Sequence, residues 1–433
     1  MSATRPPPAP RMSPLAERLV RAYHDALSSF DLAALVRSAL PDAPPAPGRT
    51  RVLAIGKAAP AMARGALERW GAAIERALVV APDGLACTLH ASAPSVPIDV
   101  IHAAHPVPDA SSVRAADAAL DLAAGAARRA EAFGAEQGAL VVLLSGGASA
   151  LACAPRAPID LATKAAVTRA LLASGASIGE LNTVRRHLSR IKGGGLARAA
   201  WPARTIAYVV SDVIATPLEE SALHDVGSGP TVPDPTTACE ARRVLLRFAP
   251  AYASLPLVET LKAADAEAAS QRASLLLAPE DLARAAARSL GARLLPPSTA
   301  SVRDLADEYA AIARDLAPGE AVVRVAEPSL CVTAESPGRG GRSCHLAALV
   351  APHLPPSTAF LAGASDGVDG TSDTAGAVVD AAFLARVGAA DYTAAVARFD
   401  TGTAHVVAGT ALPSGPTGIN LCDLHVLARE ERP

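Results

Sequence analysis

Short apolar runs alternate with helix-period segments along most of this chain, and that alternation constrains its fold more than any other feature. RVLAIG (51–56), ALVVAP (77–82), IDVIHAAHP (98–106), ALVVLLSGG (139–147) and TIAYVVSDV (205–213) each read as a strand. Between them lie helical segments such as AAPAMARGALERWG (58–71) and SSVRAADAALDLAAGAARRAEAF (111–133), the latter with Ser111 or Ser112 as N-cap. This pattern predicts an α/β domain with a mainly parallel sheet. Ahead of it, residues 13–40 read as one or two amphipathic helices and PDAPPAPG (41–48) as a linker. After about residue 255 the alternation restarts with ASLLLAP (273–279), so a second α/β domain is expected. The expected division is a disordered lead-in over 1–12, a first domain over 13–255 and a second over 256–433.

Composition removes several classes of function. Half of the 433 residues are hydrophobic and 19% are charged, enough apolar surface to offset the ordering entropy of folding. A net charge of −2 gives no electrostatic case for nucleic acid. The long uncharged stretch Leu346–Ser365 holds Pro352, Pro355 and Pro356, so a membrane-spanning helix is not expected there. The first residues have no apolar segment of the secretory type, and the six cysteines form no CxxC pair. Reduced thiols and a cytoplasmic location are the expectation.

The basic residues are unevenly chosen. Only Lys57, Lys164, Lys192 and Lys262 are lysine among 40 lysines and arginines. In a chain so biased towards arginine, a surviving lysine is enriched for sites that need a compact point charge.

Six strings could carry chemistry. In AIGKAAPAM (54–62), Gly56 and Lys57 lie between a strand and a helix, where helix N-termini favour anions. LLSGGASAL (143–151) puts Ser145, Gly146, Gly147 and Ser149 in a strand–glycine–helix turn whose backbone N–H groups can approach an anion, although no Walker A motif is present. LNTVRRHLSRIKGGGLA (181–197) brings Asn182, Arg185 and Arg186 before Lys192 and Gly193. Asp212 stands just past a strand, where a carboxylate can hold a metal or a hydroxyl. ESPGRGGRSCH (335–345) sets Arg339 and Arg342 around Gly340 and Gly341 before a helix, which suits phosphoryl oxygens. GASDGVDGTSD (363–373) carries Asp366, Asp369 and Asp373 at a spacing wrong for an EF-hand and suited to Mg²⁺. By contrast, the GxSxG match at Gly175, Ser177 and Gly179 has no strand before it, and His102 and His105 sit in a proline-containing strand-end loop, so neither is taken as a site. Basic groups, glycine turns and carboxylates in both halves amount to equipment for phosphoryl transfer in a cleft between two domains.

These strings, with HPVPDASS, VVSDVIATPLEESALHDVGSGPTVPDPTT, DGVDGTSDTAGAVVD and SGPTGINLCDL, resemble the glycerate 2-kinase family over residues 13–427. The resemblance implies an N-terminal Rossmann-like domain, a C-terminal α/β MOFRL domain and an active site in the interdomain cleft. It implies ATP- and Mg²⁺-dependent phosphorylation of D-glycerate at the 2-hydroxyl, with 2-phosphoglycerate as product. Another small 2-hydroxy acid as acceptor, a hydroxypyruvate reductase and a non-catalytic ligand-binding homologue are the alternatives. The family's proposed catalytic lysine falls on Lys57, and its arginine falls on Arg339 or Arg342. Asp366, Asp369 and Asp212 are the candidate metal ligands, and Asp366 also a candidate proton acceptor. Small-molecule partners and a homodimer are expected, with neither nucleic acid nor membrane. No GxGxxG follows a strand, so nothing supports a nicotinamide site. Two departures stand beside these loops: Ser343-Cys344-His345 where the family has Asn-Gln-Glu, and Thr371-Ser372 where it has Pro-Thr.

Overall fold

Strand β1 (Thr50–Ile55) is the pivot of the first sheet, with β2 (Ile74–Pro82) hydrogen-bonded on one side and β4 (Ala139–Leu144) on the other. β3 (Ile98–Ala103) extends the β2 side, and β5 (Arg204–Val210) and β6 (Gln271–Leu277) extend the β4 side. All five pairings are parallel and the order is β3-β2-β1-β4-β5-β6. This is the doubly wound, Rossmann-type order. The computed structural model describes residues 12–89, 92–214 and 218–431. The expected lead-in therefore lies, apart from Met12, outside the described residues.

The helix Ala110–Phe133 carries the chain from β3 across the sheet to β4, and it buries a stripe of small side chains. Ala115, Ala116, Ala119, Ala123, Ala126 and Ala130 recur at helical spacing and pack with Leu53, Ile55, Leu140 and Val142. Alanine lets helix and sheet approach closely, which is how a chain with 3% aromatic residues fills this core. The N-cap is Asp109 rather than Ser111 or Ser112. Its carboxylate accepts from both serine amides, while Ser112 Oγ accepts from the Asp109 amide at 3.2 Å in a capping box.

The second sheet has the order β11-β10-β9-β12-β8-β7, with β7 Arg293–Leu294, β8 Ala321–Ala326, β9 Thr358–Ala364, β10 Thr374–Asp380, β11 Ala411–Pro413 and β12 Asp423–Arg429. Only the β7–β8 pair is parallel; the others are antiparallel. β8, β9 and β10 are buried along their whole length. The helix Arg342–Val350 packs on this sheet with Phe360 and Val379.

The chain divides into two compact units, Asp31–Leu277 and the discontinuous pair 1–30 with 278–433. This differs from the division expected at residue 255 in two ways. ASLLLAP does not open the second unit; it forms β6, the edge strand of the first sheet. The two expected N-terminal helices, Pro14–Ser28 and Leu32–Ala39, separate between the units. Helix Pro14–Ser28 lays Leu15, Leu19, Ala22, Tyr23 and Ala26 into the second unit, and Tyr23 Oη donates to the Ala364 carbonyl of β9 at 2.6 Å. Gly363 is required there, because a Cβ would stand 2.8 Å from the Tyr23 ring. No helix among the described residues is long and apolar enough to cross a membrane.

Three imidazoles are buried in the second unit. His405 stacks on Phe383 and its Nε2 lies 3.0 Å from the Cys344 carbonyl; His425 Nδ1 lies 3.0 Å from Tyr309 Oη. His345 stacks on Phe399 with ring centroids 4.8 Å apart. Burial pulls His405 and His345 down to about 4 and His425 to about 3, with Arg303 and Arg324 adding to the last two in that order. Because unfolding restores ordinary values of about 6.5, the unfolded chain binds more protons between those limits. The stability contribution of these groups is full above pH ~6.5 and falls as pH drops towards ~4. The buried carboxyl of Asp423, raised to about 6 chiefly by burial, opposes this over the lower part of the window, and the three imidazoles outweigh it. Chemical unfolding followed at several pH values checks this: the second unit's transition midpoint should fall as pH drops through that window, and a rising midpoint would contradict neutral burial.

Candidate functional site

In a doubly wound sheet, ligands gather at the carboxyl ends of the two strands where the order reverses. Here those strands are β1 and β4. Their register places Ile55 opposite Leu144, so Gly56-Lys57 and Ser145-Gly146-Gly147 leave the sheet side by side. The two loops are bonded to each other: the Lys57 amide donates to the Gly146 carbonyl at 2.9 Å, and the Ala58 amide donates to Ser145 Oγ at 3.0 Å. Gly56 has φ +136°, and a Cβ on it would fall 2.0 Å from Ser145 Oγ. Gly56, Ser145 and Gly146 thus act as a clamp that fixes the root of Lys57, ahead of the helix Ala59–Trp70. Gly147, at φ +85°, opens the next turn, where its missing Cβ leaves room between His105 and the Lys57 side chain.

Beside this crevice lies a cavity of about 430 Å³ within the first unit. One wall is a face of the helix Leu161–Ala173: Leu161, Lys164, Ala165, Thr168, Arg169 and Leu172 recur at helical spacing. The adjoining stripe of that helix, Val167 and Leu171, packs with Leu181, Val184 and Leu245. His105, Pro106, Val107, Pro108, Gly147, Ser149, Ala150, Cys153, Arg185 and Lys192 complete the lining.

The electrostatics of this cavity are one-sided. Lys164 and Lys192 are only 5% and 3% exposed, and no carboxylate lines the cavity among the described residues. Lys192 Nζ donates to Ser149 Oγ at 2.6 Å and to the carbonyls of Ser149 and Gly227 at 3.3 and 3.2 Å. Lys164 Nζ is buried with no hydrogen-bond partner among the described residues. Burial pulls the Lys164 ammonium below the usual lysine range despite the nearby Cys153 sulfur, which favours the charged form. Burial and then the Lys164 charge pull Lys192 well below it, and burial lowers Arg185. Cations crowded together without a counter-charge make a site that gains from an incoming anion.

Other expected binding residues serve the scaffold instead. Asn182 Nδ2 donates to Asp225 Oδ1 at 3.2 Å, and Asp225 also accepts from Arg186, which reaches Asp234 as well. Gly193 belongs to a turn in which its Cβ would meet Thr260 at 2.7 Å, and its amide donates to the Ser228 carbonyl at 3.0 Å. The glycine run following Lys192 is thus a packing requirement. Ser177, in the discarded GxSxG match, is the N-cap of the helix Ile178–His187. Asp212 stands half-buried past the end of β5, the strand next to β4.

In the second unit, the glycine–arginine loop is stitched to its neighbours. The Gly340 carbonyl accepts from the Thr371 amide and hydroxyl, and a Cβ on Gly341 would stand 2.2 Å from Asp369 Oδ1. Arg342 is held in a bidentate pair with buried Asp423, at 2.6 and 3.1 Å, with Glu327 at 3.5 Å; the Asp423 carboxylate strengthens its hold on the proton. Arg339 is mostly exposed and pairs with exposed Asp373. The sequence left these arginines equivalent, and their surroundings separate them.

Asp369 is not placed as the expected metal ligand. Its two oxygens accept from the amides of Ser343 and Cys344 at 3.0 and 2.8 Å, capping the helix Arg342–Val350. Asp366, half-buried after β9, accepts from the Val368 amide at 3.2 Å. Among the described residues no group of three or more His, Cys, Asp or Glu could hold a metal by itself.

Sequence reasoning set aside His105 and left Lys164 outside the site; both line the cavity. A signal for Lys164 was present: a lysine on the same helical face as Leu161 and Leu172. His105 gave none, since its neighbourhood depends on how the β3 end folds over the sheet.

The chain matches two family models, a domain of unknown function (DUF4147) over residues 18–260 and the MOFRL family over 315–423. It is 34% identical to an Agrobacterium vitis protein provisionally named as a hydroxypyruvate reductase, over 94% of this chain and 93% of that one. It is 30% identical to the D-glycerate 2-kinase of Thermotoga maritima, over 87% and 89% of the two chains. The crystal structure of glycerate kinase from Thermotoga maritima superposes with a TM-score of 0.77 at 27% identity, covering 96% of this chain and 99% of that one. On these matches and this architecture, the chain belongs to the glycerate kinase family that carries the MOFRL domain.

Proposed function

We propose that this protein is a kinase that transfers the γ-phosphoryl group of ATP to the 2-hydroxyl of D-glycerate, giving 2-phosphoglycerate. The observation that carries this reading is the group of buried basic side chains beside the β1–β4 switch point, in a cavity that no carboxylate lines among the described residues. An acidic acceptor and a polyphosphate donor supply the missing anions, and the relatives named as glycerate kinases support the choice.

The reaction needs positive charge on the transferring group and a fixed approach for the attacking hydroxyl. Lys57 is assigned to the transferring phosphoryl because its root is clamped by two backbone amides. Arg339 is assigned the partner role because Arg342 is committed to Asp423. Gly147, with its open turn, leaves backbone room for phosphate oxygens. Mg²⁺ suits one or two carboxylates together with substrate phosphates, so either Asp212 or Asp366 would hold it, while Asp369, with both oxygens on amides, would not. When bound, Mg²⁺ supplies charge neutralisation on the phosphates. A reductase is disfavoured by the turn after β1, which reads Gly56-Lys57-Ala58 and lacks the dinucleotide fingerprint.

Incubation with D-glycerate, ATP and Mg²⁺, coupled to enolase without a mutase, should give a signal, because enolase consumes only the 2-phosphate. NADH oxidation by hydroxypyruvate without ATP, with silence in the enolase assay, would sink the kinase reading. Lys57→Ala should lower kcat by about 10²–10³-fold with the fold intact, the magnitude of one lost electrostatic contact. The two arginines should part company. Arg339→Ala should lower kcat with little change in stability, whereas Arg342→Ala should cost about 3–5 kcal/mol of unfolding free energy by leaving Asp423 buried and unpaired. Equal stabilities for the two variants would refute that separation.

A further inference from the structure

The cavity of about 430 Å³ has two unlike parts, and the apolar one is not explained by phosphoryl transfer. Its basic part joins Lys164, Lys192 and Arg185; its apolar part is made by Leu161, Leu172 and Val107. A Mg²⁺-bearing polyphosphate wants a carboxylate on the metal, and no carboxylate lines this cavity among the described residues. A small metal-free anion suits it better, since Lys164 Nζ is nine-tenths buried and has no hydrogen-bond partner among the described residues. A carboxylate accepting from an ammonium in such surroundings forms a strong, charge-assisted bond. The volume lies within the range of about 300–1,000 Å³ of sites that enclose drug-sized ligands, more room than a three-carbon acid fills.

We propose that this cavity holds the phosphoryl acceptor by its carboxylate, through Lys164, Lys192 and Arg185, and that its apolar wall admits 2-hydroxy acids with an aliphatic tail longer than that of glycerate. The inference rests on the kinase reading for the word acceptor, but the binding itself does not require turnover. The wall explains the stripe of the helix Leu161–Ala173: Lys164 takes the charged end of the ligand, and Leu161 and Leu172 lie one turn and two turns away on the same face.

Isothermal titration calorimetry of the whole chain, in the presence of β,γ-imido-ATP, tests this with D-glycerate and D-2-hydroxyhexanoate as probes. Both acids should bind, the six-carbon acid no more than about tenfold more weakly than glycerate, because its three added carbons gain contact with the apolar wall while the 3-hydroxyl of glycerate is lost. Lys164→Met should weaken both acids by about tenfold or more, as the loss of a charged hydrogen bond implies, and should leave the affinity for the nucleotide analogue within about threefold. Its melting temperature without ligand should match or exceed that of the parent, since an unpartnered buried ammonium has been replaced by an apolar chain of similar length. Arg185→Gln should weaken the acids in the same direction and decides the matter if Lys164→Met does not fold. Unchanged acid affinity in the variants, or loss of the nucleotide analogue with the acids retained, would overturn the assignment. Binding of glycerate with refusal of the six-carbon acid would overturn the part concerning the tail. Lys164-dependent binding of the acids with no ADP formed from ATP by any of them would uphold the pocket and remove the kinase reading instead.

Discussion

The amide of Lys57 on the carbonyl of Gly146, and the amide of Ala58 on Ser145 Oγ, tie together the two strand ends at which the strand order of the first sheet reverses. Backbone polar groups that leave a sheet need new partners, and here the two strand ends supply each other. The arrangement depends on Gly56, because any side chain at that position would occupy the space of Ser145. A lysine rooted in this way has its backbone fixed before any ligand arrives, and less of the ordering cost remains to be met on binding.

Positive charge is distributed unequally around that clamp. Lys192 is satisfied by a serine hydroxyl and two carbonyls, while Lys164 sits a short way off without a partner among the described residues. The second unit shows the opposite strategy. Arg342 is neutralised by Asp423 and Asp369 is hydrogen-bonded by helix amides, so the glycine–arginine loop is a braced structure with Arg339 at its exposed edge. The same residue types therefore serve as ligand-seeking groups in one place and as scaffold in another, and burial with or without a counter-charge is what distinguishes them.

Much of the first sheet was legible because its central strands β1, β2 and β4 are largely buried on both faces and read as apolar runs between helices. The same property hid the direction of pairing in the second sheet, since AVVRVA and TAFLAGA look alike in parallel and antiparallel company. The expected boundary and the geometric division part because β6 joins the first sheet through hydrogen bonds to β5, which no local pattern encodes. The candidate site divides similarly. Lys57 could be found from its place after a strand and a glycine. Asp369 could not be recognised as a helix cap, because its partners, the amides of Ser343 and Cys344, lie 25 and 26 residues away in sequence. Gly193, after Lys192, stood among the candidate binding residues, and its close neighbour is Thr260, far along the chain.

The helix Pro14–Ser28 belongs to a unit whose remaining residues begin only at Ala278. During synthesis it leaves the ribosome before the strands that cover it, and must wait through the 247 residues that separate Phe30 from Ala278. At translation rates of about 5–20 residues per second, that interval is roughly 12–50 s. The whole first unit can fold in that time as an insertion, while Leu15, Leu19 and Tyr23 stay available to chaperones or to a neighbouring nascent chain. The order of elements along the gene thus gives this protein an exposed early helix that its finished form conceals.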